Sequence, residues 1–130
     1  MKKILYILLL VCCFGFSQSP SGEEQRITNI KNQLELLSVE ISGLTEQAKT
    51  DINVNNISLA NFLMALSNTH KINTNIASDL NDITIANNFS NATVTDILIF
   101  LCKEYSLTID FTGSILSIKK YIPKEPVIEN

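Results

Sequence analysis

Residues capable of chemistry are few in this 130-residue chain, and they lie apart. The single histidine, His70, falls at the C-terminal end of a predicted helix, where a surface imidazole is mildly favoured by the helix dipole. Cys102 lies in the apolar run of residues 97–102, so an inert, buried thiol is expected there. These residues cannot form a Ser/His/Asp or Cys/His set, and we therefore predict no catalytic residue.

Acidic residues and glycines add no recognisable ligand site. Asp79 and Asp82 flank a predicted turn, whereas Asp96 and Glu104 lie on a predicted helix, and neither pair has the spacing of a calcium loop. The four glycines form no phosphate-binding loop. Asn-x-Ser/Thr sequons begin at Asn56, Asn88 and Asn91. We interpret them as chance in an asparagine-rich chain, and we predict a non-enzymatic protein without cofactor or metal.

The N-terminus has the pattern of an export signal. Two lysines precede an apolar run over residues 4–16, which is too short to span a bilayer and ends in small residues. This predicts a secretory signal peptide over residues 1–17. Cys12 leaves a lipoprotein leader open as an alternative, although Val11 stands where lipoprotein processing requires a small residue.

Removal of that leader changes both charge and cysteine content. Eight basic and thirteen acidic residues remain, which is a formal net charge of −5 and disfavours nucleic acid as a partner. One cysteine remains, so an internal disulfide is excluded.

Residues 18–50 form a predicted amphipathic helix and linker. The helix covers residues 23–40, and its apolar seam gives the candidate helix interface: Ile27, Ile30, Leu34 and Leu37. We expect this seam to dock on its own domain or on a neighbouring subunit, in preference to forming an oligomerising coiled coil. Residues 41–50 are predicted linker. Because the seam has no evident partner downstream, deleting residues 17–50 is expected to change the melting temperature only slightly.

The rest of the chain repeats one unit. Residues 57–76 align without a gap on residues 92–111, an offset of 35 (57 to 92). In each copy a hydroxyl residue, Ser58 or Thr93, precedes a helical pattern and is a predicted N-cap. Each helix is followed by alternation of period two and preceded by a short alternating run, so the unit is β-α-β.

The domain is predicted over residues 51–121, in the order β-α-β-β-α-β-β. Residues 87–92 are predicted as a loop with Phe89 turned inward, and residues 112–114 as a tight hairpin turn before a last strand. Residues 122–130 have the composition of a linker to a region beyond the chain.

The apolar run 97–102 requires cover on two sides of the second helix. The predicted fold class is therefore α+β: two β-α-β units with two helices packed between two small β-sheets, preceded by an amphipathic N-terminal helix.

The doubled unit resembles the short N-terminal domain shared by bacterial secretins and TonB-dependent receptors. The matching stretches are residues 52–66, 71–76, 83–85, 93–105 and 107–118, which agree in apolar positions rather than in invariant side chains. The resemblance implies a periplasmic domain that works by protein contact. The heptad helix ahead of the domain departs from the receptor pattern and favours the secretin side.

This resemblance implies a protein-interaction domain of a secretin-like outer-membrane secretion component, of type II or a related system. Its expected partners are inner-membrane components of a secretion machine, and a ring-shaped homo-oligomer is left open. The alternatives are the signalling domain of a TonB-dependent receptor, whose partner would be an anti-sigma regulator, and a small periplasmic ligand-binding module. Contact with the outer membrane is expected only through segments beyond residue 130.

Binding is predicted at the edge of the closing hairpin, where lysines and a proline follow the last strand as they do at guarded sheet edges. The alternative is that these residues only terminate the strand and keep the domain soluble. The candidate edge residues are Leu107, Ile109, Phe111, Ile115, Ser117 and Lys119.

Overall fold

The computed structural model describes residues 22–45 and 49–123. Its helices are α1 (Gly22–Leu37), α2 (Leu59–His70) and α3 (Val94–Glu104), with two 3₁₀ turns, Ser42–Leu44 and Ser78–Asp82. Its strands are β1 (Lys49–Ser58), β2 (Asn73–Ile76), β3 (Thr84–Thr93), β4 (Leu107–Thr112) and β5 (Ile115–Lys120). The predicted leader and residues 124–130 of the predicted C-terminal linker lie outside the described residues.

Two small sheets enclose the helices. β1 and β3 form an antiparallel pair, and the second sheet has the order β2-β5-β4, with β2 parallel and β4 antiparallel to β5. Apolar side chains of all three helices and of both sheets belong to one core. The predicted α+β class, with two β-α-β units, is confirmed.

The backbone preserves the internal repeat. Asn56 and Asn91 have positive φ angles of 56° and 51°, and these positions are 35 residues apart, the offset of the sequence repeat. Lys71 and Ser106, with φ of 55° and 51°, lie at the same offset and follow the ends of α2 and α3. Each unit therefore makes the same left-handed steps before and after its helix.

Both predicted N-caps are confirmed. The Ser58 hydroxyl accepts a hydrogen bond from the Asn61 N–H at 3.1 Å, and Thr93 accepts one from Asp96 at 3.0 Å. The Asp96 carboxylate accepts in return from the Thr93 N–H at 3.3 Å, completing a capping box.

The asparagine and the hydroxyl residue of two sequons each have a structural role. Asn56 is an extra residue in β1, at an irregularity of the β1–β3 register, and asparagine tolerates the left-handed conformation found there. A capping residue follows two positions later in both units. Asn56-x-Ser58 and Asn91-x-Thr93 thus combine a left-handed asparagine with a helix cap.

The loop predicted at residues 87–92 is wrong, because these residues continue β3 and pair with β1. Asn88, Ser90 and Asn91 are exposed, whereas Asn87 is half-buried on the same face as Ile85 and Phe89. A polar residue at this inward position hides the alternation that marks a strand. Phe89 is turned inward as predicted, is 9% exposed, and stacks on Phe62 with ring centroids 5.9 Å apart.

Helix α1 is not separate from the domain. Ile27, Ile30 and Leu34 are buried in the common core, where α1 packs against α3 and β4, and Leu37 is half-buried beside them. The prediction that this seam lacks a partner in the β-α-β units is wrong. Of the two docking alternatives, the structure shows docking on the chain's own domain. The helix ends at Leu37 instead of Glu40.

The predicted linker, residues 41–50, also carries core contacts. The 3₁₀ turn Ser42–Leu44 buries Leu44, which is 2% exposed, and β1 begins at Lys49. The Thr95 hydroxyl donates to the Leu44 carbonyl at 3.4 Å. This segment therefore anchors α1 to both helices of the repeat.

Helix α3 is the central helix, as predicted. Ile97, Leu98, Leu101 and Cys102 are buried, and the helix packs against α1, β3 and β4. Part of the cover on its apolar run comes from α1, outside the repeat. The run is not covered all round as predicted, because Phe100 is 38% exposed and Ile99 is half-buried.

Cys102 is expected to react with a thiol reagent only when the protein unfolds. Its side chain is 1% exposed, and burial raises the pKa of the thiol from 9.0 to about 12, an increase that the charge of Arg26 partly offsets. The native protein at pH 8 should label at the rate of global opening, with full labelling in denaturant as the control. Rapid labelling of the native protein would contradict the central position of α3.

The same thiol gives a pH dependence of stability. The unfolded thiol ionises above about pH 9, whereas the buried thiol keeps its proton up to about pH 12. This contribution is therefore constant below pH 9 and destabilising as the pH rises from 9 towards 12.

Candidate strand-edge interface

The six candidate edge residues fall on strands with different environments. Three lie on β4, an edge strand, and three on β5, the central strand: Leu107, Ile109 and Phe111, then Ile115, Ser117 and Lys119. The prediction for the β5 residues is wrong because β2 pairs in parallel along the far side of β5. The last strand in chain order is thus enclosed on both sides.

The two lysines that follow the hairpin pattern are paired with acids rather than left at an edge. Lys119 Nζ lies 2.6 Å from Asp110 Oδ2 on β4, and Lys120 Nζ lies 3.9 Å from Asp79 Oδ2. These exposed pairs span neighbouring elements of one sheet surface, and they do not mark an open edge.

The outer edge of β4 is bordered by α1. Thr112 and Ile115 flank a two-residue turn, so alternation along the hairpin points the backbone groups of Leu107, Ile109 and Phe111 away from β5. The space beside them, lined in part by Ile30 of α1, is only about 170 Å³. This edge has little room for a further strand.

Arg26 holds α1 in that place, and it was not among the residues predicted from the sequence. Its Nη2 donates to the Cys102 carbonyl at 3.4 Å, near the end of α3, and its guanidinium lies 4.1 Å from the centre of the Tyr121 ring. The side chain is 9% exposed, and its Nε is buried without a hydrogen-bond partner. Its spacing of four residues from Ile30 was the available signal that it shares the buried face.

The outer edge of β1 is open along its middle. The Leu59 N–H donates to the Ile83 carbonyl at 2.8 Å, and hydrogen-bonded pairs alternate along an antiparallel ladder from that point. With Asn56 as an extra residue in β1, this alternation makes Val54 and Asn87 a hydrogen-bonded pair. The backbone groups of Asn53 and Asn55 therefore point away from β3. Among residues 22–45 and 49–123, no strand pairs with this side of β1.

A groove of about 450 Å³ runs between this edge and α2. Ile52, Val54, Phe62 and Leu66 provide apolar side chains within it, with Ala65 on the helix side. His70, half-buried at the end of α2, also lines the groove, where the sequence had placed it only at a surface helix end. An unpaired strand edge and an apolar groove beside it are the two features that strand addition uses.

The described part of the chain contains no cluster of His, Cys, Asp or Glu that could hold a metal ion. None of its helices is long and apolar enough to cross a membrane. No protein-family model matches the chain, and no curated protein matches it.

Proposed function

We propose that this protein is a non-enzymatic, periplasmic protein-interaction domain of a secretin-like secretion component, and that it binds by strand addition at β1. The open edge of β1 beside the apolar groove is the observation that carries the proposal, because unpaired N–H and C=O groups attract an extended chain. The partner belongs to the inner-membrane part of a secretion machine.

The export signal pattern and the family resemblance support this setting. The two β-α-β units also support it, since they leave strand edges at the surface while α2 and α3 pack into the core. Strand addition needs main-chain hydrogen bonds more than particular side chains, which agrees with a resemblance limited to apolar positions.

Asn53→Pro is expected to abolish partner capture while the domain stays folded. Proline removes the outward N–H at position 53 and leaves the ladder bonds to β3 in place, which edge strands tolerate. The full chain would be cross-linked in intact envelopes, and the captured proteins identified by mass spectrometry. The melting temperature would establish folding.

Asn88→Pro is the matched control, because Asn88 is paired with Asn53 and occupies the same position on the outer edge of β3. It should keep capture. Equal capture by wild type, Asn53→Pro and Asn88→Pro, all folded, would refute strand addition at β1. Capture of an anti-sigma regulator, without secretion components, would replace the secretin assignment with the receptor alternative.

A further inference from the structure

The second β-α-β unit contains the counterpart of the β1/α2 groove, and there a side chain of the chain itself, Phe100, occupies the place while keeping 38% of its surface exposed. Phe100 stands 35 residues after Ala65, at the equivalent position of α3. Its ring meets Phe89 of β3 edge-on, with centroids 5.5 Å apart and an interplanar angle of 81°. Tyr105, the counterpart of His70, donates from its hydroxyl to Asn87 Oδ1 at 3.1 Å.

The first unit lacks this filling. Ala65 provides only a methyl group, and Val54 stands where the second unit has Phe89. The space that an aromatic ring takes between α3 and β3 is therefore left open between α2 and β1, where the groove measures about 450 Å³. The two β-α-β units therefore share one backbone arrangement, but only in the second does an aromatic side chain of the protein itself occupy the groove.

We infer that the β1/α2 groove binds an extended segment of a partner protein through an aromatic anchor residue, whose ring takes the position beside Ala65 that Phe100 takes in the second unit. This inference rests on the proposed function and specifies the partner's chemistry. The segment lies along β1, with its backbone on the outward groups of Asn53 and Asn55.

Two features select this occupant. Side chains of an added strand alternate, so every second one faces the groove while the others face solvent. The groove lining contains no carboxylate or lysine, and its one titratable group is His70, which suits a neutral anchor better than a charged one. Among neutral side chains, an aromatic ring buries the largest apolar surface in such a groove.

The test places an aromatic side chain of the protein itself in the groove. Ala65→Phe copies the second unit at its equivalent position, so the ring has a precedent in this fold. Met64→Phe is the control, because Met64 is 52% exposed and does not line the groove. Both variants should keep the wild-type melting temperature within a few degrees.

The probe is a fluorescent nine-residue peptide of alternating Thr and Val with a central Phe, together with its Phe→Ala version. Wild-type protein and Met64→Phe should bind the Phe peptide about tenfold more tightly than the Ala peptide, as expected for burying one ring. Ala65→Phe should lose this preference. Amide NMR shifts should centre on Asn53 and Asn55.

Several outcomes would overturn the inference. These are equal binding of the two peptides, unchanged binding by Ala65→Phe, equally tight binding of N-acetylphenylalanine amide alone, or a dimer in light scattering that Ala65→Phe dissociates. The last two would assign the groove to a small ligand or to a second copy. Cellular capture separates the two proposals: capture lost in Asn53→Pro but kept in Ala65→Phe removes the aromatic anchor alone, whereas no capture by wild type removes the proposed function.

Discussion

Leu34→Ala is expected to lower the free energy of unfolding by about 2–5 kcal/mol, as for other large-to-small substitutions in a packed core. Leu34 is fully buried (0% exposed) between α1 and the β-α-β units. Alanine preserves helix propensity, so the loss reports packing alone. For a domain of this size the melting temperature should fall by about 10 °C or more, measured by thermal denaturation.

Leu36→Ala is the matched control on the same helix. Leu36 is 68% exposed, so its truncation removes little buried surface, and the melting temperature should change by no more than about 2 °C. Equal, small effects of both variants would show that α1 does not belong to the core. Deletion of residues 17–50 is accordingly expected to unfold the domain, which replaces the small change expected from the sequence.

Gly43→Ala should have an effect of similar size through a different mechanism. A Cβ atom on Gly43 would overlap the His70 carbonyl oxygen, far inside van der Waals contact, and would lie 2.9 Å from His70 Cβ, at the end of α2. Backbone cannot yield as a flexible side chain can, so the turn must move away and withdraw Leu44 from the core. We expect a loss of about 1–3 kcal/mol or more, measured by urea denaturation.

Gly22→Ala controls for the substitution itself. A Cβ atom on Gly22 meets nothing within 4 Å, and alanine is a good helix former at the start of α1. Its unfolding midpoint should be unchanged or slightly raised. If Gly43→Ala matched it, the close approach of the 3₁₀ turn to α2 would be disproved.

Local features of the fold were determined by the sequence itself. The Ser58 and Thr93 caps and the hairpin at Gly113, where φ is 59°, each depend on residues within a few positions of one another. The repeat is visible when the sequence is compared with itself at an offset of 35 residues. The burial of Cys102 followed from the apolar run 97–102. Such signals need no knowledge of which elements meet.

Pairings between distant segments were decided only by the tertiary structure. The alternation in β5 is the same whether that strand lies at an edge or in the centre, and only its pairing with β2 makes it central. The seam of α1 is equally ambiguous, because Ile27, Ile30 and Leu34 form a stripe that suits a second subunit or the chain's own core.

The candidate site belongs to this second class. Ala65 and the outer edge of β1 are unremarkable in the sequence, and the groove exists only where α2 lies beside that edge. The difference between Ala65 and Phe100 was visible at the 35-residue offset, but it acquires meaning only when the fold shows which space the ring fills. Periodicity specifies which face of an element is apolar, whereas shape complementarity between distant faces decides what covers it.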